Sequence, residues 1–193
     1  NSGGSGEGDL VLIDAGAEYH GYASDITRTF PVNGRFSAEQ RALHDLVLAA
    51  QAAALEQAQP GIAYEEGHLA AVEVLTEGLL RLGLLRGDLE ENLIEGHYKR
   101  FYRHKTGHWL GLDVHDVGDY KLAGESRLLE AGMVFTIEPG LYVSPDDHSV
   151  EPRWRGIGIR IEDDVLITAD GHRVLTAALE RSADEIEAFM ARG

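Results

Sequence analysis

The densest set of chemistry-bearing side chains lies in residues 104–118, where His104, His108 and His115 share a short stretch with Asp113, Asp116 and three glycines. The stretch is too polar for a plain buried strand and too apolar for a solvated loop. Four acids elsewhere stand in similarly apolar settings: Asp14, Asp25, Glu138 and Glu162. Clustered buried carboxylates are tolerable only when a cation or a proton neutralises them. One imidazole with four such carboxylates suits two divalent cations, and oxygen-rich ligation with a single nitrogen favours manganese, cobalt or zinc over copper or an iron–sulfur cluster. Two such ions can share a hydroxide, lower its pKa and polarise a carbonyl. The residues alone therefore lead to a dinuclear metallohydrolase of unspecified substrate.

The histidines divide. His104 and His108 are four apart, as in helical zinc sites, but there is no HExxH and Gly107 opposes a helix. Three imidazoles in one glycine-rich segment still raise the odds of function. His20, His44, His68, His97, His148 and His172 stand alone and read as surface or structural residues.

The elements that must position these groups are legible in outline. Leu10 to Asp14 is a short apolar run, and Tyr22 to Phe30 reads as its partner strand, with a turn near Tyr19-His20-Gly21. Alternation puts Asp25 mid-strand on a face with Ala23, Thr27 and Thr29. Asp14, beside Ala15-Gly16, reads by itself as a strand-end residue. Ser37-Ala38-Glu39-Gln40 is a capping box for a helix ending before Pro60-Gly61, with Leu43, Leu46, Val47 and Ala50 on one side. A second helix is expected over Tyr64 to Leu82. Met133 to Val143, interrupted at Pro139-Gly140, and Gly158 to Thr168 read as strands, and Ser182 caps a last helix running to Ala191. Glu138 precedes Pro139, which demands an edge or a bulge. The isoleucines of Gly156 to Glu162 fall on one face, with Arg160 and Glu162 on the other. That face is either an exposed polar one or a ligand with a steadying cation. Strands, a helix pair, more strands and a terminal helix give an α+β chain with an antiparallel sheet.

Composition excludes several classes. With 193 residues, 44% of them hydrophobic, the chain makes one domain. Its 33 acids against 17 bases give a net charge of −16, which repels nucleic-acid phosphates. No apolar run is long enough to span a bilayer. Cysteine is absent, which removes disulfides, thiolate sites and a cysteine nucleophile and fits a reducing cytoplasm. Residues 1–7 begin as a Gly/Ser linker, as if the chain were cut from, or joined to, something larger.

Five segments together carry a specific resemblance: Asp14-Ala15-Gly16, Ser24 to Pro31, His108 to Gly118, Thr136-Ile137-Glu138-Pro139-Gly140, and Gly158 to Asp164. Over residues 8–193 the chain resembles the bacterial aminopeptidase P (Xaa-Pro aminopeptidase) branch of the pita-bread metallopeptidase family. The resemblance implies a partial catalytic domain of that fold, an antiparallel sheet covered by helix pairs, without its first part. It implies two divalent ions, manganese before zinc or cobalt, held by Asp14, Asp25, His108, Glu138 and Glu162. Asp25 and Glu162 would bridge, Asp14 would complete one site, and His108 with Glu138 the other. A bridging hydroxide would attack the carbonyl of the N-terminal residue, with Glu138 handling the proton. His104 and His115 would hold substrate and stabilise the oxyanion, and Arg160 would support them. The implied substrate is a peptide with proline in second position. A prolidase acting on Xaa-Pro dipeptides and a non-catalytic peptide- or metal-binding module are the competing readings, while methionine aminopeptidase fits His108 to His115 poorly. A complementary N-terminal segment or chain is the expected partner, with a homo-oligomer left open and no nucleic acid or membrane.

Overall fold

Two apolar runs and a tight reversal build the first layer. The computed structural model describes residues 6–192, so the linker-like reading of residues 1–7 falls largely outside the described residues. β1 (Leu10–Ala15) pairs antiparallel with β4 (Ile26–Pro31), and Asp14 lies opposite Thr27. Between them the chain reverses through β2 (Glu18–Tyr19) and β3 (Tyr22–Ala23). His20 and Gly21 have φ of 53° and 84°, the left-handed pair that a two-residue hairpin turn requires. The turn is where the sequence puts it.

The continuous strand expected over Tyr22–Phe30 is not found. Ser24 and Asp25 fall outside both β3 and β4. The cause is a close crossing, in which the Ser24 carbonyl oxygen lies 1.7 Å from where a Cβ on Gly16 would stand, so only glycine fits there. Ser24 N–H donates to the Ala17 carbonyl and Ala17 N–H to Ser24 Oγ, both at 2.9 Å. This knot steps Asp25 out of the strand alternation.

The helical layer follows its capping chemistry. α1 (Ala38–Glu56) opens on the expected box: Ser37 Oγ accepts from Gln40 N–H, and the Gln40 side chain accepts from Ser37 N–H at 2.8 Å. Its apolar stripe, Leu43 to Ala54, packs on Ala71, Val72, Leu75 and Leu79 of α2 (Tyr64–Arg81). Leu43, Leu75 and Leu79 are fully buried, each worth roughly 1.5–3 kcal/mol. A short α3 (Leu89–Glu95), capped by Asp88, follows; seven residues are too few to give a periodic signal, and no sequence expectation covers it.

The second half of the chain supplies the sheet. A small hairpin, β5 (Lys121–Leu122) and β6 (Glu125–Ser126), precedes β7 (Val134–Ile137) and β8 (Gly140–Tyr142). β8 pairs with β9 (Gly158–Arg160). β10 (Asp163–Thr168) lies between β7 and β11 (Gly171–Val174), and α4 (Ala183–Met190) closes the described chain on a second capping box. Every named pairing is antiparallel, as expected. The first layer is stitched on through Glu162 N–H to the Thr27 carbonyl and Arg160 N–H to Thr29 Oγ1, both at 3.1 Å. α1 lies against β7, β8 and β9, and its buried Gln51 donates to Asp163 at the start of β10 at 2.9 Å. Among the described residues no helix is long and apolar enough to cross a membrane.

Candidate metal centre

Each sequence-singled acid ends or interrupts a strand. Asp14 stands near the end of β1 and Asp25 in the break before β4. Glu138 lies between β7 and β8, with its N–H donating to the Thr106 carbonyl at 2.7 Å, so the edge required by Pro139 is present. Glu162 lies between β9 and β10 and is 1% exposed, which rules out an exposed polar face there. Residues 106–110 run irregularly beside β7, with Thr136 N–H donating to the His108 carbonyl and Trp109 bridged to Phe135. A Cβ on Gly107 would lie 1.9 Å from the Thr136 carbonyl oxygen, so that glycine sets how closely His108 approaches the sheet.

These breaks converge. Asp25, His108 and Glu162 each offer a ligand atom within 4.8 Å of the others. His108 Nε2 is 3.4 Å from Asp25 Oδ2 and 3.5 Å from Glu138 Oε1. A proton on His108 Nδ1 satisfies the Trp109 carbonyl 3.0 Å away and leaves Nε2 as a lone pair facing the carboxylates. Asp14 sits at the margin, beside Asp25 and paired with the Arg160 guanidinium. The fit to cations rests on one atom above all: Glu162 Oε1 is buried and has no hydrogen-bond partner among the described residues, while Oε2 accepts from Thr27 Oγ1 at 2.5 Å. An acceptor oxygen left bare among three other carboxylates is what a cation would satisfy.

A hydrogen-bonded chain frames the cluster. Arg160 donates to Thr27 Oγ1 and to the Tyr142 hydroxyl, both at 3.1 Å, and the same hydroxyl meets His104 Nε2 at 2.8 Å. His104 Nδ1 is 3.9 Å from Glu138 Oε2, and the His115 ring stands edge-on to His108 with centroids 4.3 Å apart. All three histidines and Glu138 line one cavity of about 820 Å³. His68, discounted from sequence, lines it too and hydrogen-bonds Thr106 at 2.7 Å. Sequence reasoning gave no role to Tyr142, whose only signal is its place two residues after Gly140, nor one in the site to Thr27.

Burial without counter-charge shows in the acidities. Burial pushes Glu162 up to about 8 against the opposing Thr27 hydrogen bond, and Glu138 up to about 7 against the opposing Arg160 charge. Asp25 is raised by burial and then by its neighbour Asp14, and Asp164 is raised to about 6, mainly by burial. A carboxyl with a raised folded pKa binds its proton more tightly when folded. Its contribution is therefore fully present below the unfolded value near 4.5 and is lost as pH rises through about 8. The ion-free protein should accordingly lose stability between about pH 5 and 8, by on the order of a few kcal/mol. Glu162→Gln should flatten that slope, and added divalent ion should reverse it with release of protons. Thermal melts in chelator across this range would read both effects; a flat wild-type profile would contradict them.

Comparison with known proteins matches this geometry to a family. A model described as metallopeptidase family M24 matches residues 1–169. The Xaa-Pro aminopeptidase of Escherichia coli is 51% identical over 184 residues, covering 95% of this chain and 41% of its own length. That of Haemophilus influenzae is 50% identical over 95% of this chain and 42% of its own. Among solved structures, aminopeptidase PepP of Pseudomonas aeruginosa superposes with a TM-score of 0.96 at 56% identity, covering 96% of this chain and 42% of that one. Proline aminopeptidase P II of Yersinia pestis gives 0.93 at 53%, covering 97% and 43%. The chain thus spans about two fifths of the length of the relatives it matches, and over that part it has the pita-bread fold expected from sequence. With a family model over most of its length and relatives at half identity, the chain belongs to metallopeptidase family M24.

Proposed function

We propose that the protein acts as an Xaa-Pro aminopeptidase, releasing the N-terminal residue from peptides with proline in second position. The observation that carries this reading is the cluster of Asp25, His108 and buried Glu162, one of whose carboxylate oxygens has no hydrogen-bond partner among the described residues. Asp14, Asp25, His108, Glu138 and Glu162 would hold two divalent ions, manganese in preference to zinc or cobalt. Ions so placed supply a nucleophilic water at neutral pH and polarise the scissile carbonyl.

The chain's own groups do the rest. Glu138, beside His108 and His104, takes the proton of the attacking water and passes it to the departing proline nitrogen. His104, fixed by Tyr142, and His115, set edge-on against His108, face the cavity where the peptide lies and stabilise charge developing on the carbonyl oxygen. The free amine of the substrate would bind at the metal site, which confines cleavage to the first residue.

The relatives are more than twice as long as this chain, and Tyr19 and Val117 are 78% and 88% exposed. A complementary N-terminal segment or chain, or a second copy, would cover such surface. The absence of cysteine suits action in the cytoplasm. Hydrolysis of an Xaa-Pro-Xaa tripeptide with added manganese tests the proposal. Release of the first residue is expected, with no cleavage when alanine replaces proline and slower cleavage of the Xaa-Pro dipeptide. Cleavage indifferent to the second residue, or none by protein carrying two ions, would overturn it.

A further inference from the structure

We infer that Asp164 is a positioning residue for the metal centre, its carboxylate holding the backbone of Asp25 and thereby aiming the Asp25 side chain. The inference rests on the proposal that Asp25 is a ligand. Asp25 lies in the break between β3 and β4, where no strand partner takes its N–H. Both Asp164 oxygens do so instead, at 3.3 Å each. Ser24, the other residue of the break, is tied separately to Ala17. The Asp164 contact is thus the hydrogen bond that locates Asp25 itself.

The anchor at the other end is rigid. Asp164 lies in the central strand β10 opposite Thr136, its N–H donates to Thr176 Oγ1 at 3.2 Å, and its carbonyl accepts from Leu175 N–H at 2.8 Å. The residue is 3% exposed. Its neighbour Asp163, on the opposite face, is neutralised by Arg28, whereas among the described residues no basic side chain pairs with Asp164. An ion pair therefore does not explain this buried acid. A buried carboxylate whose recorded partner is one backbone N–H costs stability, and the geometry shows what it secures: a fixed link from the middle of the sheet to a strand break that has no ladder of its own. Partners of this kind typically change metal affinity about 10- to 100-fold when removed.

Manganese titration of the folded chain, read as dissociation constants and ions per chain, tests the inference. Asp164→Ala should weaken binding about 10-fold or more. Asp164→Ser, whose shorter side chain stops short of the Asp25 N–H but keeps the position polar, should do the same and covers the case in which the alanine variant fails to fold. Asp164→Asn keeps an acceptor oxygen for the Asp25 N–H and should stay within about 3-fold of wild type. Leu75→Ala, which loosens the helix pair away from the site, should lower the melting temperature without changing affinity. Wild-type affinity in the alanine or serine variant, or an asparagine variant as weak as serine, would overturn the inference while leaving the ligand assignment standing. Unchanged binding in Asp25→Ala would instead bring down the ligand assignment, and this inference with it.

Discussion

Glu138→Gln is expected to lower turnover of an Xaa-Pro-Xaa peptide by about 10³-fold or more, equivalent to roughly 4 kcal/mol of transition-state stabilisation. Three observations converge on this residue. Its Oε1 lies 3.5 Å from His108 Nε2, its Oε2 lies 3.9 Å from His104, and burial raises the proton affinity of its carboxyl in the ion-free protein. Glutamine keeps the shape and can still accept from Thr136 Oγ1, now at 3.3 Å, but cannot take a proton. The loss should therefore fall on kcat more than on KM. Measured at saturating manganese, a variant keeping more than a tenth of wild-type turnover would remove Glu138 from proton transfer.

Arg28→Ala should be the most destabilising single change outside the apolar core, at about 3–5 kcal/mol, because it leaves a buried acid without its main cation. Arg28 donates to Asp163 at 2.8 Å, to the Glu162 carbonyl at 2.6 Å and to the Glu180 carbonyl at 2.8 Å, while Asp163 is fully buried. Arg181, 3.6 Å from the same carboxylate, replaces only part of the lost charge. The melting temperature should fall by on the order of 10 °C. Arg28→Ala/Asp163→Leu should recover much of the loss, since an apolar side chain has no unpaired charge to bury. If the single variant melts within about 2 °C of wild type, the pair does not hold the strand junction together.

How much of this was legible in sequence depended on whether a signal was local. Caps and turns were: Ser37 with Gln40, Ser182 with Glu185, and the left-handed pair His20-Gly21 all stand where short-range rules put them. The antiparallel pairing also followed from the order of strands and helices. Asp25 did not, because strand alternation was carried through Ser24 and Asp25, while the Gly16 crossing that breaks the strand is a contact between distant backbone atoms. The acids and histidines of the site could be picked out by type in apolar settings, and the structure brings Asp25, His108 and Glu162 together with Glu138 alongside. The links among them could not be picked out. Tyr142 reaches both His104 and Arg160, and Asp164 reaches the Asp25 amide, across sequence separations that no spacing rule addresses.

Anomalous X-ray scattering from crystals of the protein grown with manganese would test the central claim most directly. The account predicts two peaks between strands β1, β4, β9 and the 106–110 segment, both touching Asp25 and Glu162, one also touching Asp14 and the other His108 and Glu138. Peaks elsewhere, or full occupancy of a site that leaves Glu162 Oε1 bare, would contradict it.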